Sequence, residues 1–244
     1  MIELAILLMA GHVIGDFWLQ AEMIVNKRKD KLLWLLIHTF IVALITWGLA
    51  GNFSRIIIFI YIFLAHTLID GTKWFLQRSY GNSLNLQNTR FIILDQIIHI
   101  FSIILILILL DPEAYCDNYW IKMFGENYLV VVVFVSGLIL AVRATGFLIE
   151  RQLKKFEFDF GEELKFGGQT IGRLERLLVF IFILAGVPEG IGFLITAKSI
   201  FRIGELRKSE HRKQAEYIMI GSLYSFTYAI LIAYGTRYLI NFLQ

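Results

Sequence analysis

Residues 55–77 read RIIIFIYIFLAHTLIDGTKWFLQ, and this stretch decides the fold. A helix rises about 1.5 Å per residue, so about 20 apolar residues cross the ~30 Å hydrocarbon layer of a bilayer. In lipid every backbone N–H and C=O must be satisfied within the segment, so a lone run of this length is read as a helix. Its polar residues are spaced by helical turns. His66 and Asp70 are four apart and share a face, and Lys73 lies three further along it. Ionisable groups inside a membrane are costly and need partners.

Similar runs lie on either side. Apolar segments are expected at 2–24, 32–50, 55–77, 90–110, 128–149, 176–198 and 217–242. Across 244 residues, 57% are hydrophobic and 18% charged, the charge is bunched between the apolar runs, and the mean hydropathy is +0.67. The expected class is an all-α, polytopic transmembrane helical bundle. The polar loop near 111–127 divides a first half, 1–115, from a second, 116–244. The first segment has no basic stretch or small-residue cleavage site at its start and reads as a retained helix. One cysteine, Cys116, forms no intrachain disulfide.

Loop charge sets sidedness. Lys27, Arg28, Lys29 and Lys31 place the first loop in the cytoplasm, as Arg78 and Arg90 do the third. Asp111, Glu113, Asp117 and Glu126, with Tyr115, Tyr119 and Trp120, mark the fourth as external. The N-terminus is then expected outside, in a multi-pass membrane protein. Segment 176–198 breaks the alternation. Arg151, Lys154, Lys155 and Lys165 precede it, Lys198, Arg202, Arg207, Lys208, Arg212 and Lys213 follow it, and Gly186, Pro188, Glu189, Gly190 and Gly192 interrupt it. Either the segment is a kinked span and the charge rule fails here, or it is a re-entrant hairpin around Pro188; the second reading is preferred and leaves six spans.

The pairing of residues 66 and 70 recurs. His12 precedes Asp16 by four residues, Asp95 precedes His99 by four, and His38 lies in the second segment. At ~1.5 Å per residue, His12 and Asp16 stand about 22 and 16 Å from Lys27, and His38 about 10 Å from Lys31. His66 and Asp70 stand about 18 and 12 Å from Arg78, and Asp95 and His99 about 7 and 13 Å from Arg90. Four antiparallel helices thus bring most of these groups to one depth, as a bundle-core metal site requires. Candidate ligands are His12, Asp16, His38, His66, Asp70, Asp95 and His99. The cation is divalent, with zinc first and manganese or iron admitted by the carboxylates. Asp16, Asp70 and Asp95 are also candidate bases, and Lys73 a candidate anchor for an anionic group. Gln20 and Gln96 are candidate hydrogen-bond donors. Haem, which needs no aspartates, ranks below. The competing readings are a polar cluster that merely joins helices, and a proton or ion relay.

In the second half, Gly167-Gly168-Gln169-Thr170-Ile171-Gly172 reads as a cytoplasmic turn, with a phosphate cradle as the weaker alternative. Glu175 and Arg176 are expected near Lys198 or Arg202. Glu189 reads as part of a helix break, and Arg143 as a snorkelling or core-paired residue. The run from Arg207 to Lys213, with His211, lacks interleaved aromatics, so no nucleic acid is expected.

The blocks His12-x3-Asp16-Phe17-x2-Gln20, Lys27, His38, His66-x3-Asp70-x2-Lys73 and Asp95-Gln96-x2-His99 resemble an uncharacterised bacterial and phage polytopic membrane family, a domain of unknown function. Gly172-x-Leu174-Glu175-Arg176, Ala197-Lys198-Ser199-Ile200 and Glu216-Tyr217 resemble its longer members. The pattern is also similar in style to the YdjM-like group of membrane-bound metal-dependent hydrolases. That similarity implies hydrolysis and names no substrate. The expected partners are membrane lipid and a lipidic or amphipathic substrate, because only such a molecule reaches this depth. The sequence sets no oligomeric state.

Overall fold

The computed structural model describes residues 1–18, 32–80, 88–111, 118–154, 161–206 and 212–244, except the side chains of 161–166, 201–206 and 212–215. Every element among them is helical: α1 (Ile2–Val13), α2 (Leu32–Ala50), α3 (Ile56–Tyr80), α4 (Thr89–Leu109), α5 (Tyr119–Phe124), α6 (Asn127–Ile139), α7 (Thr145–Leu153), α8 (Gly161–Leu184), α9 (Glu189–Leu206) and α10 (Arg212–Leu243). Among the described residues, Leu32–Ala50, Ile56–Tyr80, Thr89–Leu109, Asn127–Leu153 and Glu216–Leu243 are long and apolar enough to cross a membrane. The chain is an all-α polytopic membrane protein. Gln20, the basic run 27–31, Glu113, Tyr115, Cys116, Asp117, Lys155, Arg207, Lys208 and His211 lie outside the described residues, as do the side chains of Lys165, Arg202, Arg212 and Lys213.

The chain forms two compact units, Met1–Ser136 with Leu243–Gln244, and Gly137–Phe242. In the first, α1 packs on α2, α2 on α3, α3 on α4, and α4 back on α1, which closes a four-helix ring. Each helix buries one stripe and turns the other outward. On α3, Ile58, Ile62, His66 and Asp70 are buried, whereas Leu64, Leu68 and Phe75 are exposed for lipid. The buried stripes are segregated along their length. Leu4, Leu8, Ala43, Ile58, Ile62, Ile103, Ile106 and Leu107 form an apolar plug, and the His/Asp residues lie on the other side of it.

The end of α2 is sealed by the chain that follows α4. Trp120 Nε1 donates to Gly48 O at 2.7 Å, Tyr128 Oη to Leu49 O at 2.7 Å, Asn118 Nδ2 to Ala50 O, and the Tyr119 amide to Gly51 O at 3.0 Å. Carbonyls that a helix end leaves open are thus paired away from water. Gly51, at φ +64°, makes the exit, and a Cβ there would sit 2.7 Å from Trp120 Cδ1.

In the second unit, a π-helical turn at Leu140–Ala144 precedes α7. The segment around Pro188 is broken, as its composition suggests. α8 ends in a Schellman turn: the Val187 amide donates to Phe182 O at 2.8 Å, the Gly186 amide donates to Ile183 O at 3.2 Å, and Gly186 takes φ +77°. Pro188 follows and α9 folds back on α8, so that Glu175 and Lys198, at similar distances from the turn, pair at 2.6 Å. Glu189 stays exposed in the first turn of α9, where the helix dipole favours an acid. Arg143 is exposed as well. The glycine run 167–172 is a correction: it lies inside α8 and forms neither a turn nor a cradle. Local propensity toward a turn yields there to the helix that carries Val179, Phe180 and Ile183 into the unit's core.

Arg176 is buried and joins three helical segments, donating to Val142 O at 2.8 Å and to Ser225 Oγ at 3.2 Å. The neighbouring Glu175–Lys198 pair is also well buried, with side chains 9% and 19% exposed. Glu175→Gln or Lys198→Met alone should cost about 3 kcal/mol, because each leaves a buried charge without its partner. The double variant should cost clearly less than the sum. Unfolding in detergent micelles measures all three, and additive losses would show that the pair is not coupled.

Candidate metal centre

Four helices each contribute to one cluster. α1 supplies His12 and, through a π-helical turn at Ile14–Trp18, Asp16. α2 supplies His38, α3 supplies His66, Asp70 and Lys73, and α4 supplies Asp95, Gln96 and His99. The four histidines and Asp70 are at most 5% exposed. Asp16 lies within that π turn, a feature common at functional sites.

Asp16 stands at the centre. Its Oδ1 lies 3.3 Å from His38 Nε2 and 3.4 Å from His66 Nε2, and its Oδ2 lies 3.9 Å from His12 Nε2. Asp70 Oδ2 faces the same two rings, 3.6 Å from His38 Nε2 and 3.8 Å from His66 Nε2. These spacings decide between two kinds of contact. A charge-assisted hydrogen bond from nitrogen to carboxylate would close to about 2.7–2.9 Å. Ligands at the zinc–nitrogen and zinc–oxygen length of about 2.0–2.1 Å stand about 3.3–3.4 Å apart at the corners of a tetrahedron. The two spacings of Asp16 Oδ1, 3.3 and 3.4 Å, fit the second, and the 3.6–3.9 Å spacings are longer than either. Among the described residues, Asp16 Oδ1 and His66 Nε2 are buried without a hydrogen bond, as atoms aimed at a shared cation are. Two three-residue groups, His12–Asp16–His66 and His38–His66–Asp70, each have donor atoms within 4.8 Å of one another.

A second layer orients the first. Lys73 Nζ bridges Asp95 Oδ2 at 2.7 Å and Asp70 Oδ1 at 3.1 Å, so it is held between two carboxylates. His12 Nε2 faces Gln96 Oε1 at 3.3 Å. His99 Nδ1 donates to the carbonyl of Asp95 at 2.9 Å, and its ring stacks on His12 at 4.9 Å between centroids. With neutral imidazoles, three carboxylates and one ammonium leave two negative charges in a buried volume. A single divalent cation cancels them. Protonating two rings would also cancel them, which is the structural alternative.

Beside the rings lies a cavity of about 20 Å³, bounded by His12, His66, His99, Thr46 and Ser102 with aliphatic side chains around them. It has room for about one water.

Two residues that hold the site were not singled out from the sequence. A Cβ at Gly11 would lie 2.5 Å from Thr46 Cα, and one at Gly15 would lie 3.0 Å from both γ-methyls of Val42. Only glycine lets α1 come this close to α2 and set His12 and Asp16 opposite His38. The signal was present as two glycines four apart in an apolar helix.

Residues 4–125 match the model of a family described as "Protein of unknown function (DUF3307)". The match includes all seven candidate ligands, from His12 to His99, and Lys73. No curated protein and no solved structure matches the chain.

Proposed function

The chain belongs to this family of unknown function, and we propose from the site alone that it is a membrane-embedded, metal-dependent hydrolase. The cation is zinc, or another divalent first-row ion, held by His12, Asp16, His38, His66 and Asp70. Asp95 and Lys73 fix Asp70 from behind. The observation that carries the reading is the convergence of His12, His38 and His66 on the carboxylate of Asp16 at 3.3–3.9 Å in a buried setting. Hydrolysis rests further on the water-sized cavity against the histidines. When bound, the ion would supply Lewis acidity and an acidified water. The substrate is lipidic or amphipathic, since the site is enclosed by helices with lipid-facing outer surfaces. In this reading the N-terminus lies outside a bacterial inner membrane, the site is nearer the cytoplasmic face and α8–α9 is a re-entrant hairpin, an orientation that the basic loop charges support.

A relay reading draws on the ionic chain Asp95–Lys73–Asp70 leading toward the histidines. The apolar plug on the other side of the cluster weighs against a continuous wet path. A scaffold reading keeps the cluster and dispenses with the ion.

Metal analysis of protein purified in detergent separates these. About one zinc per chain is expected, with metal-dependent release of product from lipid esters in mixed micelles. Protein without stoichiometric transition metal sinks the proposal. Metal without hydrolysis, together with proton flux in liposomes that depends on Asp95, would favour the relay.

A further inference from the structure

We infer that His99 is not a ligand of the cation but a positioning residue, whose Nε2 accepts a hydrogen bond from one water held in the cavity beside the site. This rests on the cation reading above and deepens it, because it separates the residue that orients water from those that bind metal.

The tautomer follows from the backbone. A carbonyl oxygen accepts only, so His99 Nδ1, 2.9 Å from Asp95 O, carries the ring hydrogen. In a neutral ring Nε2 is then a bare lone pair. That atom is buried and has no hydrogen-bond partner among the described residues, and the residue is 2% exposed. A buried acceptor of this kind needs a donor. His99 also stands outside both groups of donor atoms that come within 4.8 Å of one another. Its Asp95 neighbour does not draw it inward: the carboxylate of Asp95 is taken up by Lys73, and its Oδ1 is 3.9 Å from the ring.

The cavity restricts what the donor can be. His99 lines it, with His12, His66, Thr46 and Ser102. Thr46 Oγ1 donates to Val42 O and Ser102 Oγ donates to His99 O, each at 2.7 Å, so neither hydroxyl has a hydrogen left for an occupant. An anion would find a bare nitrogen and two acceptor oxygens, and a methyl group would leave Nε2 unsatisfied. Water fits the volume, donates to Nε2, and keeps its own lone pairs for the cation side. Ser102 acts through the same residue, since its bond to the His99 carbonyl fixes the α4 backbone at that turn.

Imidazole ¹⁵N spectra of histidine-labelled protein, taken without and with zinc, test this. His38 and His66 should move to the metal-bound range on zinc addition. His99 should keep a protonated Nδ1 and a hydrogen-bonded, metal-free Nε2, its signals identified by their loss in His99→Gln. That variant should lose about 10–100-fold in zinc affinity, as loss of an outer contact does, and clearly less than His66→Gln, which removes a ligand. A His99 Nε2 signal that shifts with zinc, as His66 does, overturns the inference while the metal reading stands. An Nε2 signal of a bare, unbonded ring overturns the water. Absence of any zinc-dependent shift overturns both. Spectra of the unsubstituted protein give these results even if the variant fails to fold.

Discussion

Asp16→Ala is expected to yield protein with no stoichiometric zinc and with unfolding that no longer responds to chelator. In the unsubstituted protein at free zinc about a thousandfold above Kd, the ion should add about 4 kcal/mol to stability, all of it removed by chelation. The size of the effect follows from geometry. Asp16 is the one carboxylate that faces three imidazoles, with Oδ1 toward His38 and His66 and Oδ2 toward His12. Removing it takes a corner from the polyhedron and one of the negative charges that the cation offsets. The scaffold reading predicts a different pattern. If the cluster only joins helices, Asp16→Ala lowers stability in buffer of any metal content, and chelator leaves the unsubstituted protein unchanged. Thermal unfolding of both proteins with and without chelator, beside metal analysis, gives the four values needed.

The segregation within the first unit explains why one end of a membrane bundle can carry such chemistry. The apolar plug excludes water from one side and keeps the dielectric low around the cluster. In that setting, charges left unbalanced would be severely destabilising. The match between a net dianionic cluster and a divalent ion is therefore a stronger argument than the presence of histidines alone. It also accounts for Lys73, which sits where it neutralises the outermost carboxylates, Asp70 and Asp95, and leaves Asp16 for the centre.

Much of this was legible in the residues. Apolar runs of membrane length gave the helices, and a four-residue spacing of His and Asp gave shared faces, because a helix has few ways to place i and i+4. Counting rise from the basic loops placed the groups at similar depths. What spacing could not give was direction of approach. Nothing in the composition of Ile14–Trp18 announces a π turn, which depends on how α1 is held against α2. Nor does spacing separate His99 from the other three rings. Its Nδ1 turns back to a carbonyl of its own helix, a choice invisible in sequence. The glycines at 167–172 misled in the other direction, since a run rich in glycine favours turns locally and is overridden by packing. Gly11 and Gly15 carried a readable signal, overshadowed by the histidine and aspartate beside them.

Those two glycines make the sharpest mechanical prediction. Gly11→Ala adds one methyl group, placed 2.5 Å from Thr46 Cα and 2.7 Å from its Cβ and Oγ1. The nearest of these atoms is backbone, so no rotamer change relieves the clash and α1 must move away from α2. Overpacking of this kind costs about 1–3 kcal/mol. The functional loss should be larger than that figure suggests, because a site holds its geometry only to about 0.5 Å and α1 carries both His12 and Asp16. Zinc content should therefore fall steeply in Gly11→Ala even where the protein remains folded and monodisperse. Gly48→Ala is the matched control: the same added methyl, on α2, meets nothing within 4 Å. It should keep its metal and gain slightly in stability, by up to about 1 kcal/mol, from the better helix former. Equal zinc content in the two variants would mean that the close contact of α1 with α2 does not hold the site together.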